Sequence, residues 1–209
     1  MGIVTVSAPY GAAGAEVAPA VAARLGMPFH DRAIPAKVAG RLGVPVAEAE
    51  ANDDTVVGGL WRLVASLGTM PDPVGGDLPT SDLPDARAYR QQTERVLAEN
   101  AAGAGGVILG RGAAMVLGER ADALHVRLDG PRERRLAAAV ARSGRPTDDV
   151  RREMEAADRA REAYVRHFYR CDPASPRNYH LVIDSTALPV DTVVELIVVA
   201  ARGRGIGLR

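Results

Sequence analysis

Short, continuous apolar runs alternate with helix-like stretches along this chain, and that alternation restricts the fold more than any other feature. The runs lie within residues 2–7, 29–31, 105–112, 123–128 and 179–184. Continuous rather than alternating apolarity belongs to strands covered on both faces, and strands separated by helices pair in parallel. The intervening stretches carry helix punctuation. Ala13 to Leu25 is closed by Gly26 with Pro28 just beyond. A second helical pattern covers Ala86 to Ala102, and a third, 131–144, has Pro131 in its first turn. Thr147 is placed to cap a long helix reaching about Tyr169, with Asp148 and Asp149 at its positive end. The last helix covers 189–202. Residues 34–86 differ in character: Pro, Gly and Asp gather in "GTMPDPVGGDLPTSDLPD" (68–85), and Trp61 is the only tryptophan. This stretch reads as an insertion with a helix or two and a loop. The whole, 1–209, reads as a single domain.

In parallel sheets of this kind ligands bind at the carboxyl ends of the strands, so the residues following each strand carry the search for function. The first such place is "VTVSAPYGAAGAEVA" (4–18), where a strand runs into a turn of small residues and then a helix. That is the layout of a phosphate-cradling loop, without the lysine and the hydroxyl residue such loops carry. Backbone N–H groups and a helix N-terminus still suit an anion. A tight strand-to-helix turn that binds nothing has the same outline.

Charge narrows the partners. The 26 basic residues balance 26 acidic ones, which argues against a nucleic-acid or membrane-surface protein. Lys37 is the only lysine, a bias fitting the Ala-, Gly- and Pro-rich composition. Arginine nonetheless matters locally, since its planar fork binds phosphate in a bidentate manner. Cys171 stands alone, which excludes a disulfide framework and a cysteine metal site. The start shows no signal-peptide pattern and no apolar run is long enough for a bilayer span, so a cytoplasmic protein is expected. The four histidines have no metal-ligand spacing, and no serine lies in a nucleophile-elbow pattern.

The segments "VTVSAPYGAAGAE", "FHDR", "VILGRG", "HVRLDGPRERR", "DRAR" and "LVIDSTALPVDTVVELI" follow one another in the order and approximate spacing of cytidylate kinases. The chain resembles the cytidylate kinase-like branch of the nucleoside monophosphate kinases, over nearly its full length except about 38–86. The resemblance implies an α/β P-loop NTPase-type fold, a five-stranded parallel sheet with helices on both faces. It also implies a monophosphate-binding insertion, here 34–86, and a small arginine-bearing lid, here the turn 142–148. The implied reaction moves the γ-phosphoryl group of ATP to CMP, dCMP or a related small phosphorylated acceptor, with Mg2+ accompanying the ATP. The partner is then a small-molecule nucleotide. A catalytically weak or inactive nucleotide-binding protein on the same fold, or an interaction protein binding none, remain the other readings.

Laid on that pattern, Pro9 and Gly11 match the loop, Gly14 falls where the lysine belongs and Glu16 where the metal-binding threonine belongs. The branch it resembles commonly has Gly-Gly-Arg-Glu here, so the missing lysine and the glutamate are features of that branch, while its arginine is Ala15 in this chain. The candidate phosphate-binding loop is therefore Pro9, Tyr10, Gly11, Ala12, Ala13, Gly14, Ala15 and Glu16. Asp31 and Arg32 follow the second strand, and the resemblance makes Asp31 the start of a motif whose phosphate-gripping arginine is replaced by Lys37. Arg111, between Gly110 and Gly112 at a strand's carboxyl end, is poorly explained by packing; the resemblance places it on the substrate phosphate.

The long helix supplies an argument of its own. Val150, Met154, Ala157, Tyr164 and Phe168 form a buried stripe at spacings of three and four, with Arg161 in its one gap. An arginine turned inward needs a partner or a ligand, and Asp158 lies three residues before it. The resemblance puts this pair on the substrate's sugar and the transferring phosphate; an internal ion pair is the bland alternative. Arg151, Arg152, Glu153, Glu155 and Arg159 read as a solvated face. In the lid, Arg135 matches a family arginine, which the resemblance places on the ATP phosphates; the next ones are replaced by the run from Leu136 to Ala139, and Arg142 and Arg145 in "ARSGRPTDD" stand as substitutes.

Overall fold

The computed structural model describes residues 2–30, 105–110, 112–118 and 120–207, with isolated positions at 95, 98, 99 and 103. The insertion expected at 34–86, together with Asp31, Arg32, Lys37 and Arg111, lies outside the described residues.

The expected strands form one parallel five-stranded sheet: β1 (Ile3–Ser7), β2 (Phe29–His30), β3 (Gly106–Leu109), β4 (Ala123–Asp129) and β5 (Leu181–Asp184). Their spatial order is β2-β3-β1-β4-β5. The first strand in sequence is thus central in space, which fits its apolar run: Ile3, Val4 and Val6 are fully buried. Its neighbours meet it in register, with Val6 opposite Leu109 on β3 and Val126 on β4. The chain order reverses on either side of β1, so its carboxyl end opens into the crevice where such folds place ligands.

Among the described residues the helices are α1 (Gly14–Leu25), α2 (Ala113–Leu117), α3 (Arg132–Ser143), α4 (Thr147–Tyr169) and α5 (Val190–Gly203). On one face, α1 and α5 bury Val17, Val21, Leu25, Val194, Ile197 and Val198 against Val4, Val6, Val126 and Leu128. On the other, α2 lies over β1 and β4. The pair α3 and α4 pack on each other through Leu136, Ala139, Val150 and Met154, with Tyr10 of the first loop against the same cluster. Four members of the stripe read from the sequence, Val150, Met154, Ala157 and Tyr164, are buried; the fifth, the Phe168 side chain, lies outside the described residues.

Helix ends follow the glycine signals. Gly26 is left-handed at φ +63° and donates back to the carbonyls of Ala22 and Ala23, and Met27 donates to Ala22 as well, so the last carbonyls of α1 are satisfied. Three sequence expectations need correction. Thr147 does not cap α4; it is already helical, and Pro146 holds the cap position, its carbonyl accepting from Asp149 and Val150. Pro131 likewise precedes α3 rather than lying within it. Proline's fixed φ suits the residue that enters a helix. The last strand starts at Leu181, and His180 lies just before it. No helix among the described residues is long and apolar enough to cross a membrane.

Candidate functional site

The loop between β1 and α1 is organised by polarity. Each carbonyl from Pro9 to Ala13 accepts a hydrogen bond. Pro9 O takes the Ala12 amide at 3.2 Å, and Ala13 O takes those of Glu16 and Val17. Tyr10 O accepts from Arg135 Nη1 at 2.7 Å, Gly11 O from Arg142 Nη2 at 2.7 Å, and Ala12 O from Ser185 Oγ at 3.0 Å. The amides are treated differently. Tyr10 N–H donates to Asp158 Oδ1 at 2.8 Å. The N–H groups of Gly11, Ala13, Gly14 and Ala15 donate to nothing among the described residues. Carbonyls engaged and amides left undonated at a helix N-terminus make a patch of partial positive charge.

Two left-handed residues shape it, Gly11 at φ +84° and Ala13 at φ +57°. Gly11 has a second constraint, for a Cβ there would lie 2.3 Å from the Arg135 carbonyl oxygen. Gly14 is equally tight, its Cβ position being 2.7 Å from the Ala8 Cβ. The small residues of the turn therefore admit the close approach of α3 and β1.

Asp158 is the hub behind the loop. Its Oδ1 accepts from Tyr10 N–H and from Arg161 Nη1 at 3.2 Å, and its Oδ2 accepts from Arg135 Nη1 at 2.7 Å. Arg135 also donates from Nε to Gly130 O at 3.1 Å, with only 11% of its side chain exposed. The Asp158–Arg161 pair inferred from the stripe is thus present. It is joined to the loop by a contact that no helical periodicity reveals, because its members are 148 residues apart in sequence.

The end of α3, where the lid turn was expected, also reaches the loop. Arg142 bridges Gly11 O and Glu16 Oε1, the latter at 2.8 Å. Arg145 pairs with Glu153 Oε2 at 2.5 Å. The Tyr10 hydroxyl is pushed up in pKa by burial and then by the charge of Glu153. Glu153 was expected on a solvated face; its side chain is only 17% exposed. The other residues of that face fit better: Arg152 and Arg159 are exposed, while Arg151 and Glu155 are half-buried.

The sequence reading overlooked three groups at the strand ends. Ser185 donates toward both Ala12 O and Asp129 O. Asp184 accepts from the Thr186 hydroxyl and amide and from Arg134 Nη2; the Thr186 bond, more than the arginine, keeps its carboxyl below the ordinary value. Arg127, 9% exposed, binds Asp129 and the Pro173 carbonyl and lies over the Tyr179 ring. The rule that ligands gather at carboxyl ends would have found all three. Just past the carboxyl end of β3, Gly110 and Gly112 are left-handed at φ +69° and +64°, the backbone setting on either side of position 111.

No group of three His, Cys, Asp or Glu among the described residues could hold a metal ion. Glu16 is given to Arg142, and Asp158 to Tyr10, Arg135 and Arg161. In this arrangement both carboxylates beside the loop are engaged by arginines.

A family model for the cytidylate kinase-like family matches residues 3–187. A uronate isomerase of Corynebacterium glutamicum is 29% identical over 140 residues, which are 66% of this chain and 26% of that protein. The chain thus spans about a quarter of that relative's length. A crystal structure of a protein from Eubacterium ventriosum superposes with a TM-score of 0.68 at 15% identity, covering 97% of this chain and 99% of that one. Shikimate kinase from Bacteroides thetaiotaomicron gives 0.52 at 13% identity over 96% of this chain and 98% of its own. A gluconokinase from Sinorhizobium meliloti gives 0.52 at 15% identity over 98% and 93%. At these identities the likeness shows the fold, which is that of P-loop kinases.

Proposed function

The chain belongs to the cytidylate kinase-like family, and from that premise we propose that it transfers the γ-phosphoryl group of ATP to CMP, dCMP or a related small phosphorylated acceptor. The observation that carries this reading is the polarity of the first loop: every carbonyl from Pro9 to Ala13 accepts a bond, while four amides are left for an anion. Phosphoryl transfer asks a protein for position and compensating charge, with little covalent work. Here the loop amides hold the donor's phosphates. Arg142 and Arg145 bring charge from the lid turn. Arg161, oriented by Asp158, faces the transferring group, and Asp31, Arg32, Lys37 and Arg111 serve the acceptor. Magnesium enters with ATP, keeping mostly phosphate and water ligands, and no step is assigned to it.

A second reading is favoured by a specific observation. The described arginines at the loop already have partners: Arg135 holds Tyr10 and Asp158, Arg142 holds Gly11 and Glu16, and Arg145 holds Glu153. Losing one charge-stabilising group at a transfer site costs about two to three powers of ten. A loop without lysine, beside arginines already engaged, also suits a slow or inactive protein that binds a nucleotide.

Thermal shift with CMP, dCMP, UMP, AMP, GMP and ATP, the last with and without magnesium, separates the two. A ligand at one hundred times its Kd stabilises by about 2.7 kcal/mol, or roughly 5–10 °C for a chain of this size. Stabilisation by a pyrimidine monophosphate and by magnesium-ATP, followed by turnover in a coupled assay, is the expected result. Stabilisation without turnover selects the binding protein. No shift with any nucleotide refutes both.

A further inference from the structure

The loop departs from a phosphate-binding loop twice: no lysine stands in it, and a carboxylate occupies the first turn of α1. The two departures meet in one contact. Arg142, in the last turn of α3, places Nη1 on Glu16 Oε1 at 2.8 Å and Nη2 on Gly11 O at 2.7 Å. The guanidinium thereby spans the loop from Gly11 to Glu16, and the undonated amides of Ala13, Gly14 and Ala15 lie between those two points in the chain. Of the five N–H donors an arginine carries, two are spent on this bridge. The remaining donors keep the same positive charge at the loop. A lone carboxylate in that first turn would oppose a phosphate; one bound to a guanidinium does not.

We propose that Glu16 is a positioning residue, which holds Arg142 across the loop so that α3 supplies the cation the loop lacks. The inference rests on the loop being a phosphate site, as argued above, and assigns to Glu16 a role opposite to the one its charge suggests. Arg142 touches the phosphate; Glu16 acts through it. Phosphate then enters beside a guanidinium already in place.

The sign of one substitution decides it. Glu16→Gln keeps the size of the side chain and removes its charge. If Glu16 positions Arg142, the variant binds inorganic tripolyphosphate and magnesium-ATP about tenfold more weakly, the scale of one charge-assisted hydrogen bond. If Glu16 only repels phosphate, or only holds a closed lid that phosphate must open, the variant binds more tightly. Titration calorimetry at low salt on the full chain reads the affinity, and unchanged thermal unfolding of the free variant shows that the fold is kept. In an Arg142→Gln background the same Glu16→Gln change has nothing left to position, so its effect reverses to a gain. Arg142→Lys retains part of the affinity that Arg142→Gln loses. Tighter or unaltered binding by the single Glu16→Gln variant overturns the inference. Failure of the wild-type chain to bind either ligand overturns the phosphate site itself and this role with it. Binding without turnover refutes only the kinase reading.

Discussion

Replacing Arg135 by methionine tests whether the first loop is held from behind by α3 and α4. Methionine keeps most of the aliphatic stem and removes the guanidinium. That group is 11% exposed and donates to Tyr10 O at 2.7 Å, to Gly130 O at 3.1 Å and to Asp158 Oδ2 at 2.7 Å. A hydrogen bond made by a charged group contributes about 1.5–3 kcal/mol and a neutral one about 1 kcal/mol, while a buried acceptor left unmet adds its own cost. With water reaching part of the site, about 3 kcal/mol is expected for the variant. At ~2–4 °C of Tm per kcal/mol for a chain of this length, the midpoint falls by about 6–12 °C. Asp158→Asn keeps the acceptor for the Tyr10 amide and loses the charge, so it costs less, on the order of 1–2 kcal/mol. The double variant does not pay both in full, because each single change already breaks the same ion pair. A coupling of about 1–2 kcal/mol is expected, well above the ~0.5 kcal/mol within which independent sites add. Urea unfolding of the four proteins measures it. Additive costs, or an Arg135→Met penalty below about 0.5 kcal/mol as for an ordinary surface site, would refute the strut. Arg135 would then be free to serve as a phosphate ligand, as the family resemblance implies.

Two further outcomes follow from single positions. Gly11→Ala places a Cβ 2.3 Å from the Arg135 carbonyl at a residue with φ +84°; a destabilisation above about 2 kcal/mol is expected, together with weaker tripolyphosphate binding, and a wild-type melting curve would show that the loop does not hold this shape. His125 is buried in β4, its Nε2 donating to Gly118 O at 2.6 Å and its Nδ1 accepting from the Thr5 hydroxyl at 2.8 Å, with the His180 ring stacked on it. Burial first, then the charges of His180 and Arg204, lowers its pKa against the Gly118 bond. A pKa lowered on folding gives stability that is complete above about pH 6.5 and lost as pH falls towards the folded value, at up to ~1.4 kcal/mol per pH unit. Unfolding free energies at pH 7.5, 6.5 and 5.5 should show that slope in the wild type and a flatter one in His125→Gln; equal slopes would refute it.

The architecture was legible because its signals are local. Apolar runs marked the strands, Gly26 marked a helix end in left-handed geometry, and the stripe from Val150 to Tyr164 marked the buried side of α4. Boundaries slipped by one residue where proline intervened: Pro131, read as part of the first turn, caps α3 from outside, and Pro146 takes the cap position read for Thr147. His180 shows another limit. It lies before β5, yet its amide bonds the His125 carbonyl at 2.8 Å and its ring nitrogen accepts the His125 amide. A polar residue paired in this way carries no apolar signature that could tell edge from strand.

The site was legible by residue type and illegible by partner. A glutamate at 153 reads as solvated because its neighbours in sequence are charged, and only the turn at 143–146 brings Arg145 and Tyr10 to it. The last turn of α3 carries Arg142 to Glu16, from 126 residues away. Ion pairs of this kind depend on which helix crosses which loop, information that resides in sheet order and not in spacing. That dependence explains why the departures of the first loop read as losses in the sequence. A lysine missing from residues 9–16 is visible at once, whereas an arginine that reaches Gly11 and Glu16 from α3 becomes visible only when α3 is laid across the loop. The physical requirement at a phosphate site is a fixed positive charge within reach of the oxygens, and the chain is indifferent to which element delivers it. A loop stripped of its lysine therefore loses function only if no neighbouring element restores the charge, and here the Arg142 guanidinium lies 2.7 Å from the Gly11 carbonyl.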